Sequence, residues 1–175
     1  IDKENGGGAG ESRNVGVSNS KSKFIVFLDS DDYMEKTMLE TLIRVQTEGD
    51  YDVVICGFVE YVYGESDQFS QYIAYENKKL NDFNSVRNFF AEHYPEGMLG
   101  FPWNKLYKRQ LFNDIRFPIG KKYEDDLTTY KIFNKINKLA STEKVLYNYV
   151  QRKNSLMHKE FSMDRLEALE VFDNY

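Results

Sequence analysis

The chain has 175 residues, 41% of them hydrophobic and 15% aromatic, which supplies the core of one globular domain and argues against disorder. Its 23 Lys and Arg against 28 Asp and Glu give a net charge of −5, which argues against a general nucleic-acid binder, because phosphate contacts need a basic face. No apolar run approaches the roughly 18 residues needed to span a bilayer. The single Cys56 and two His exclude an intramolecular disulfide, a Cys-based zinc cluster and a His-rich metal site, and a reducing cytoplasm is the expected compartment.

The chain opens without Met on a polar stretch, and the expectation is a fragment whose preceding strands are absent. Gly6-Gly7-Gly8-Ala9-Gly10 leading to Ser12-Arg13-Asn14 reads as a flexible loop; the glycines fit neither GxGxxG after a strand nor a P-loop. Phe24 to Leu28 is a continuous apolar run, expected to form a buried and parallel strand. It ends in Asp29-Ser30-Asp31-Asp32. Met34, Met38, Leu39, Leu42 and Ile43 then recur at helical spacing, with Gly49 past the end. Asp52 to Gly57 is a second buried strand, continued by Phe58 to Tyr63. Residues 64–80 read as polar and irregular. Asn84 to His93 predicts a helix with Val86, Phe89 and Phe90 inward.

Phe101 to Tyr107 is expected to be a short strand, Lys108 to Phe112 a helical turn, Leu127 to Ile136 a helix and Val145 to Val150 a strand. Ser162 is placed to cap a last helix. The alternation of strands and helices implies an α/β layered fold.

Two acidic segments carry the chemistry. Asp29, Asp31 and Asp32 follow a buried strand, where open α/β sheets place ligands. Carboxylates so close repel one another unless a cation or solvent screens them. A hard divalent ion meets that need, because Mg²⁺ takes one or two carboxylates plus phosphate oxygens. An acidic loop leading into a helix fits equally well. Tyr33 and Met34 stand where an EF-hand requires a ligand and a Gly.

Glu124-Asp125-Asp126 opens the second acidic helix. It fits favourable charge at a helix N-terminus, and it also fits a general base beside a sugar hydroxyl. Arg13 is suited to a phosphate or to a core carboxylate. Trp103, on Trp103-Asn104-Lys105-Leu106-Tyr107, is either a sugar-stacking surface or core. Arg152 and His158 follow the last strand; His158 reads as a metal ligand, a phosphate contact or a plain surface residue.

In series, Asn5-Gly6-Gly7 through Ser12-Arg13-Asn14-Val15-Gly16, Phe27-Leu28-Asp29-Ser30-Asp31-Asp32, Trp103 to Tyr107, Arg116-Phe117-Pro118, Tyr123-Glu124-Asp125-Asp126 and Arg152-Lys153-Asn154-Ser155 resemble the family 2 glycosyltransferases of bacterial surface polysaccharide synthesis. The resemblance implies a GT-A Rossmann-like mixed sheet flanked by helices and truncated on its N-terminal side. Residues 1–63 would be the remnant of the metal and donor half, and residues 64–175 the acceptor half with the base. It implies inverting transfer from a nucleotide-sugar, expected to be a UDP-sugar, to a saccharide or lipid-linked acceptor, with Mg²⁺ or Mn²⁺.

By the same resemblance Asp31 and His158 would be metal ligands and Asp125 the catalytic base. Arg13, Asp29, Trp103, Glu124 and Arg152 would contact substrate. The setting would be cytoplasmic, including the inner face of the membrane.

Two departures accompany the resemblance. The Gly run is one residue longer than the usual pattern, and the family's first strands are missing. The expectation is that these residues alone bind nucleotide weakly or not at all and are inactive, and that a strand edge at Phe24 is open to a second copy. Two other readings compete. A haloacid-dehalogenase-type phosphohydrolase would use Asp29 as nucleophile and Asp31 as acid and base. A non-catalytic interaction fragment would use the acidic clusters as helix caps.

Overall fold

A computed structural model describes residues 8–62, 69–94 and 99–151. In chain order the elements are α1 (Gly8–Asn19), β1 (Phe24–Val26), β2 (Tyr33–Met34), α2 (Met38–Gly49), β3 (Val53–Val62), β4 (Phe69–Ile73), β5 (Lys78–Leu80), α3 (Phe83–His93), β6 (Lys105–Lys108), a 3₁₀ turn (Arg109–Asn113), α4 (Glu124–Phe133) and β7 (Leu139–Gln151). The strands form one mixed sheet with the order β1-β6-β3-β7-β2; β4 continues along β3, and β5 along β7. Strands from both expected halves of the chain therefore share this sheet.

The central pair is parallel, β3 on β7, from Val53 opposite Leu139 to Val62 opposite Gln151. β1 pairs antiparallel with β6, not parallel as its apolar run suggested. The run reports burial on both faces, and burial does not depend on strand direction. Ile25 and Phe27 join the cluster of Val53, Ile55, Val86, Phe89, Phe90, Ile132 and Phe133. Phe24 and Val26 lie against the other cluster, with Met38, Leu42, Val54, Cys56 and Leu106. Because Val53 and Val54 alternate between the two clusters, the core has a layer on each face of the sheet. Each large, fully buried side chain contributes about 1.5–3 kcal/mol to holding these layers.

Three local expectations are corrected. The Gly-rich stretch is helical from Gly8, not a flexible loop. Glycine costs a helix about 1 kcal/mol relative to Ala, so tertiary contacts hold α1 together. Val17 is buried, and a Cβ on Gly10 would lie 2.9 Å from both Glu124 Cγ and the Pro118 carbonyl. In the helix after Asp32, Met34 belongs instead to β2, and Leu39 and Ile43 are exposed. Met38, Thr41, Leu42 and Gln46 form the buried stripe, and the left-handed C-cap is Asp50 rather than Gly49. Residues 64–80, expected to be irregular, contain β4 and β5.

The helix at Asn84 to His93 is α3, capped by Asp82, whose side chain accepts the Ser85 N–H. Arg152, Ser155, His158 and the helix expected after Ser162 lie outside the described residues, as do Asn5 to Gly7. No described helix is long and apolar enough to cross a membrane.

Candidate active site

The two acidic segments meet at Arg13. Helix α1 points this guanidinium between them: Nη2 donates to Asp29 Oδ1 at 2.9 Å and Nη1 to Glu124 Oε1 at 2.8 Å. Its side chain is only 11% exposed. Burial works against the charge, but Asp29, Glu124 and Asp125 outweigh it, so the Arg13 pKa lies above its usual value. Arg13 thus takes a core-carboxylate role. The next residue grips the same loop. Asn14 Nδ2 donates to the Phe117 carbonyl at 2.8 Å, and Asn14 Oδ1 accepts the Phe117 N–H at 3.0 Å. The close approach at Gly10 places α1 against this loop, so one helix sets the position of both segments.

In the first segment the acids differ in their surroundings. Asp32 is held by β7: Oδ2 accepts from the Tyr147 hydroxyl at 2.6 Å and Oδ1 from the Val150 N–H at 2.9 Å. Burial raises its pKa to about 6 despite these bonds. The Asp29 N–H donates to the Tyr147 hydroxyl at 3.4 Å. Asp31 lies exposed between the two anchored residues. No group of three or more His, Cys, Asp and Glu able to hold a metal occurs among the described residues. The donor set nevertheless suits Mg²⁺ or Mn²⁺, which binds through one or two carboxylates and draws its remaining ligands from phosphate and water.

The second segment is drier. Tyr123 precedes α4 in the left-handed region, at φ 60°. Asp125 Oδ1 accepts the Asp126 N–H at 3.0 Å. Burial first, then Asp126 and Glu124, raise the Asp125 pKa to about 7, against the N–H bond and Arg13. A carboxyl group that titrates near neutrality is suited to accept a proton from a substrate hydroxyl. Asp126 accepts from the Tyr94 hydroxyl at 3.3 Å and packs on Gly100, where a Cβ would overlap Asp126 Oδ1.

Lys105 lies fully buried nearby on β6, its Nζ donating to the Phe101 carbonyl at 2.6 Å and Asn104 Oδ1 at 2.8 Å. Burial lowers its pKa to about 7, opposed in part by Cys56, Asp126 and Asp125. Sequence reasoning gave Lys105 and Tyr147 no role. No signal in the sequence set Lys105 apart from Lys108 at the other end of the same strand.

Trp103 is 1% exposed. Phe101 stacks on it at 4.8 Å and Tyr147 at 4.6 Å, while Phe58 meets it edge-on at 4.8 Å. The stacking surface expected for a sugar is therefore occupied by the core.

A mixed α/β sheet with two acidic segments joined through Arg13 is the setting of this site, and comparison with known proteins gives the family. Residues 1–121 match the profile of Glycosyl transferase family 2. The chain belongs to this family, and the phosphohydrolase reading is set aside. It is 32% identical to Glycosyltransferase GlyG of Streptococcus pneumoniae, over 98% of this chain and 58% of that protein. It is 26% identical to the cholesterol galactosyltransferase of Borreliella burgdorferi, over 93% of this chain and 49% of that protein. A crystal structure of S. aureus TarS in complex with UDP-GlcNAc has the same fold, with a TM-score of 0.74 at 24% identity over 99% of this chain and 48% of the other. The chain thus spans about half the length of these three relatives.

Proposed function

We propose that the domain serves the inverting transfer of a sugar from a nucleoside-diphosphate sugar to an acceptor hydroxyl. The observation that carries the reading is the Arg13 bridge, which brings the Asp29–Asp32 loop and the Glu124–Asp126 helix start to one place. Asp125 accepts the proton of the acceptor hydroxyl while the oxygen bonds to the anomeric carbon. The bond from that carbon to the diphosphate oxygen breaks, and the electron pair leaves on the nucleoside diphosphate. Asp31 is the residue to hold Mg²⁺ or Mn²⁺, which when bound supplies charge neutralisation for the departing diphosphate. Arg13 fixes Asp29 and Glu124 at the edge of the donor space.

The TarS complex with UDP-GlcNAc supports a UDP-sugar as donor, and a saccharide or lipid-linked acceptor completes the proposal. Arg152 as a substrate contact and His158 as a further ligand remain part of this proposal. So does a cytoplasmic setting at the inner membrane face.

The test, made in a protein that carries this domain at the full length of its relatives, is release of UDP from a panel of UDP-sugars with Mn²⁺ and a mixed saccharide acceptor pool. Asp125→Asn should lower turnover by about 10²–10⁴-fold, as loss of a general base does, while UDP binding by calorimetry is retained. Turnover within twofold of wild type would overturn the assignment of the base.

A further inference from the structure

Tyr147 is the least expected residue in contact with the acidic loop. It lies on β7, between Phe58 of β3 and Met34 of β2 in the ladder, and is fully buried. Its ring stacks on Trp103 with 10° between the planes. Packed on that indole, the phenol has little rotational freedom, and its hydroxyl reaches the loop that follows β1. There it donates to Asp32 and accepts from the Asp29 N–H. The Val150 N–H takes the second Asp32 oxygen, so β7 holds that carboxylate on both sides.

The consequence for Asp31 is geometric. Residues 29 and 32 are anchored by the same hydroxyl, and Asp29 is anchored again through Arg13. The exposed residue between them is presented on a short, doubly tethered arc. We infer that Tyr147 is a positioning residue for divalent cation binding at Asp31, acting through Asp32 and the Asp29 backbone. The inference rests on the proposed transferase reading, in which Asp31 holds the cation. A purely structural Tyr147 would need only its ring in the core. A positioning Tyr147 needs its hydroxyl, because hydrogen-bonded partners of this kind orient ligands and tune metal affinity.

Removing the hydroxyl while keeping the ring separates the two roles. The probe is Mn²⁺ in the presence of UDP, with free Mn²⁺ followed by electron paramagnetic resonance. Expected are Mn²⁺ binding by the wild-type protein, loss of it in Asp31→Asn, and roughly tenfold or weaker binding in Tyr147→Phe. The thermal melt of Tyr147→Phe should keep a cooperative transition. The double variant with Asp32→Asn should bind no more weakly than the poorer single variant, because both changes break one link. Should Tyr147→Phe fail to fold, Asp32→Asn alone reads the same link.

Unchanged Mn²⁺ affinity in Tyr147→Phe, or in Asp32→Asn, overturns the positioning role and leaves the transferase reading standing. Mn²⁺ binding that survives Asp31→Asn overturns the metal assignment, and the inference falls with it.

Discussion

The Asp29–Asp32 loop and the Glu124–Asp126 helix start have nearly the same composition and differ in that only the loop leaves one acid, Asp31, exposed. In the loop, hydrogen-bond donors surround the anchored acids: a guanidinium on Asp29, and a phenol and a backbone N–H on Asp32, with Asp31 left exposed. At the helix start, Asp125 and Asp126 sit beside other carboxylates, Tyr94 and Gly100 lie against Asp126, and burial raises both pKa values, as it does for Asp32 in the loop. On the proposed reading, the exposed Asp31 would face the cation and the more buried Asp125 would accept the proton, a pattern by which one fold assigns acid and base roles. Arg13, shared by both segments, keeps them adjacent without making them alike.

Removing the shared residue should have the largest destabilising effect. Arg13→Met leaves Asp29 and Glu124 without their cation, and losing one partner of a fully buried pair costs about 3–5 kcal/mol. Asp29 is 34% exposed, so the expected loss is smaller, about 2 kcal/mol, read as a melting temperature lower by several degrees. The exposed pair of Lys135 with Asp114 is the control, and Lys135→Ala should change stability by less than about 1 kcal/mol. Equal effects from the two substitutions would show that the Arg13 bridge holds nothing together.

A pH-dependent effect separates the two segments. The folded-state pKa of Asp125 is raised to about 7, against an unfolded value of about 4. A raised carboxyl pKa makes ionisation unfavourable to the fold. The penalty is fully present above about pH 7 and disappears below the unfolded value. Asp125→Asn should therefore stabilise the protein at pH 8, by up to about 4 kcal/mol, and by less than about 1 kcal/mol at pH 4. A constant difference across that range in thermal melts would mean that burial does not govern Asp125.

Much of this arrangement was legible in the sequence where burial and pattern coincide. The runs at Phe24 and Asp52 are strands because both of their faces are covered. Helix α3 follows its apolar spacing and its Asp82 cap. The acidic segments stand out because three carboxylates so close together need a reason.

What sequence could not show depends on distant contacts. Helix α1 has three glycines and a weak apolar stripe, and it is helical because Gly10, Arg13 and Asn14 each meet a loop more than 100 residues away. β4 and β5 are short strands at the margins of the sheet, defined by pairing to β3 and β7 rather than by their own pattern. Lys105 reads as a surface cation until the fold closes over it, and nothing in the spacing of Trp103 reveals that aromatic neighbours occupy its faces.

The central claim is that burial tunes Asp125 into a proton acceptor near neutrality while the loop acids serve the cation. Carboxyl carbon NMR of selectively labelled aspartate, with Asp125 assigned by comparison with Asp125→Asn, tests this directly. The account predicts a titration midpoint near 7 for Asp125. A midpoint near the ordinary aspartate value of about 4 would contradict it.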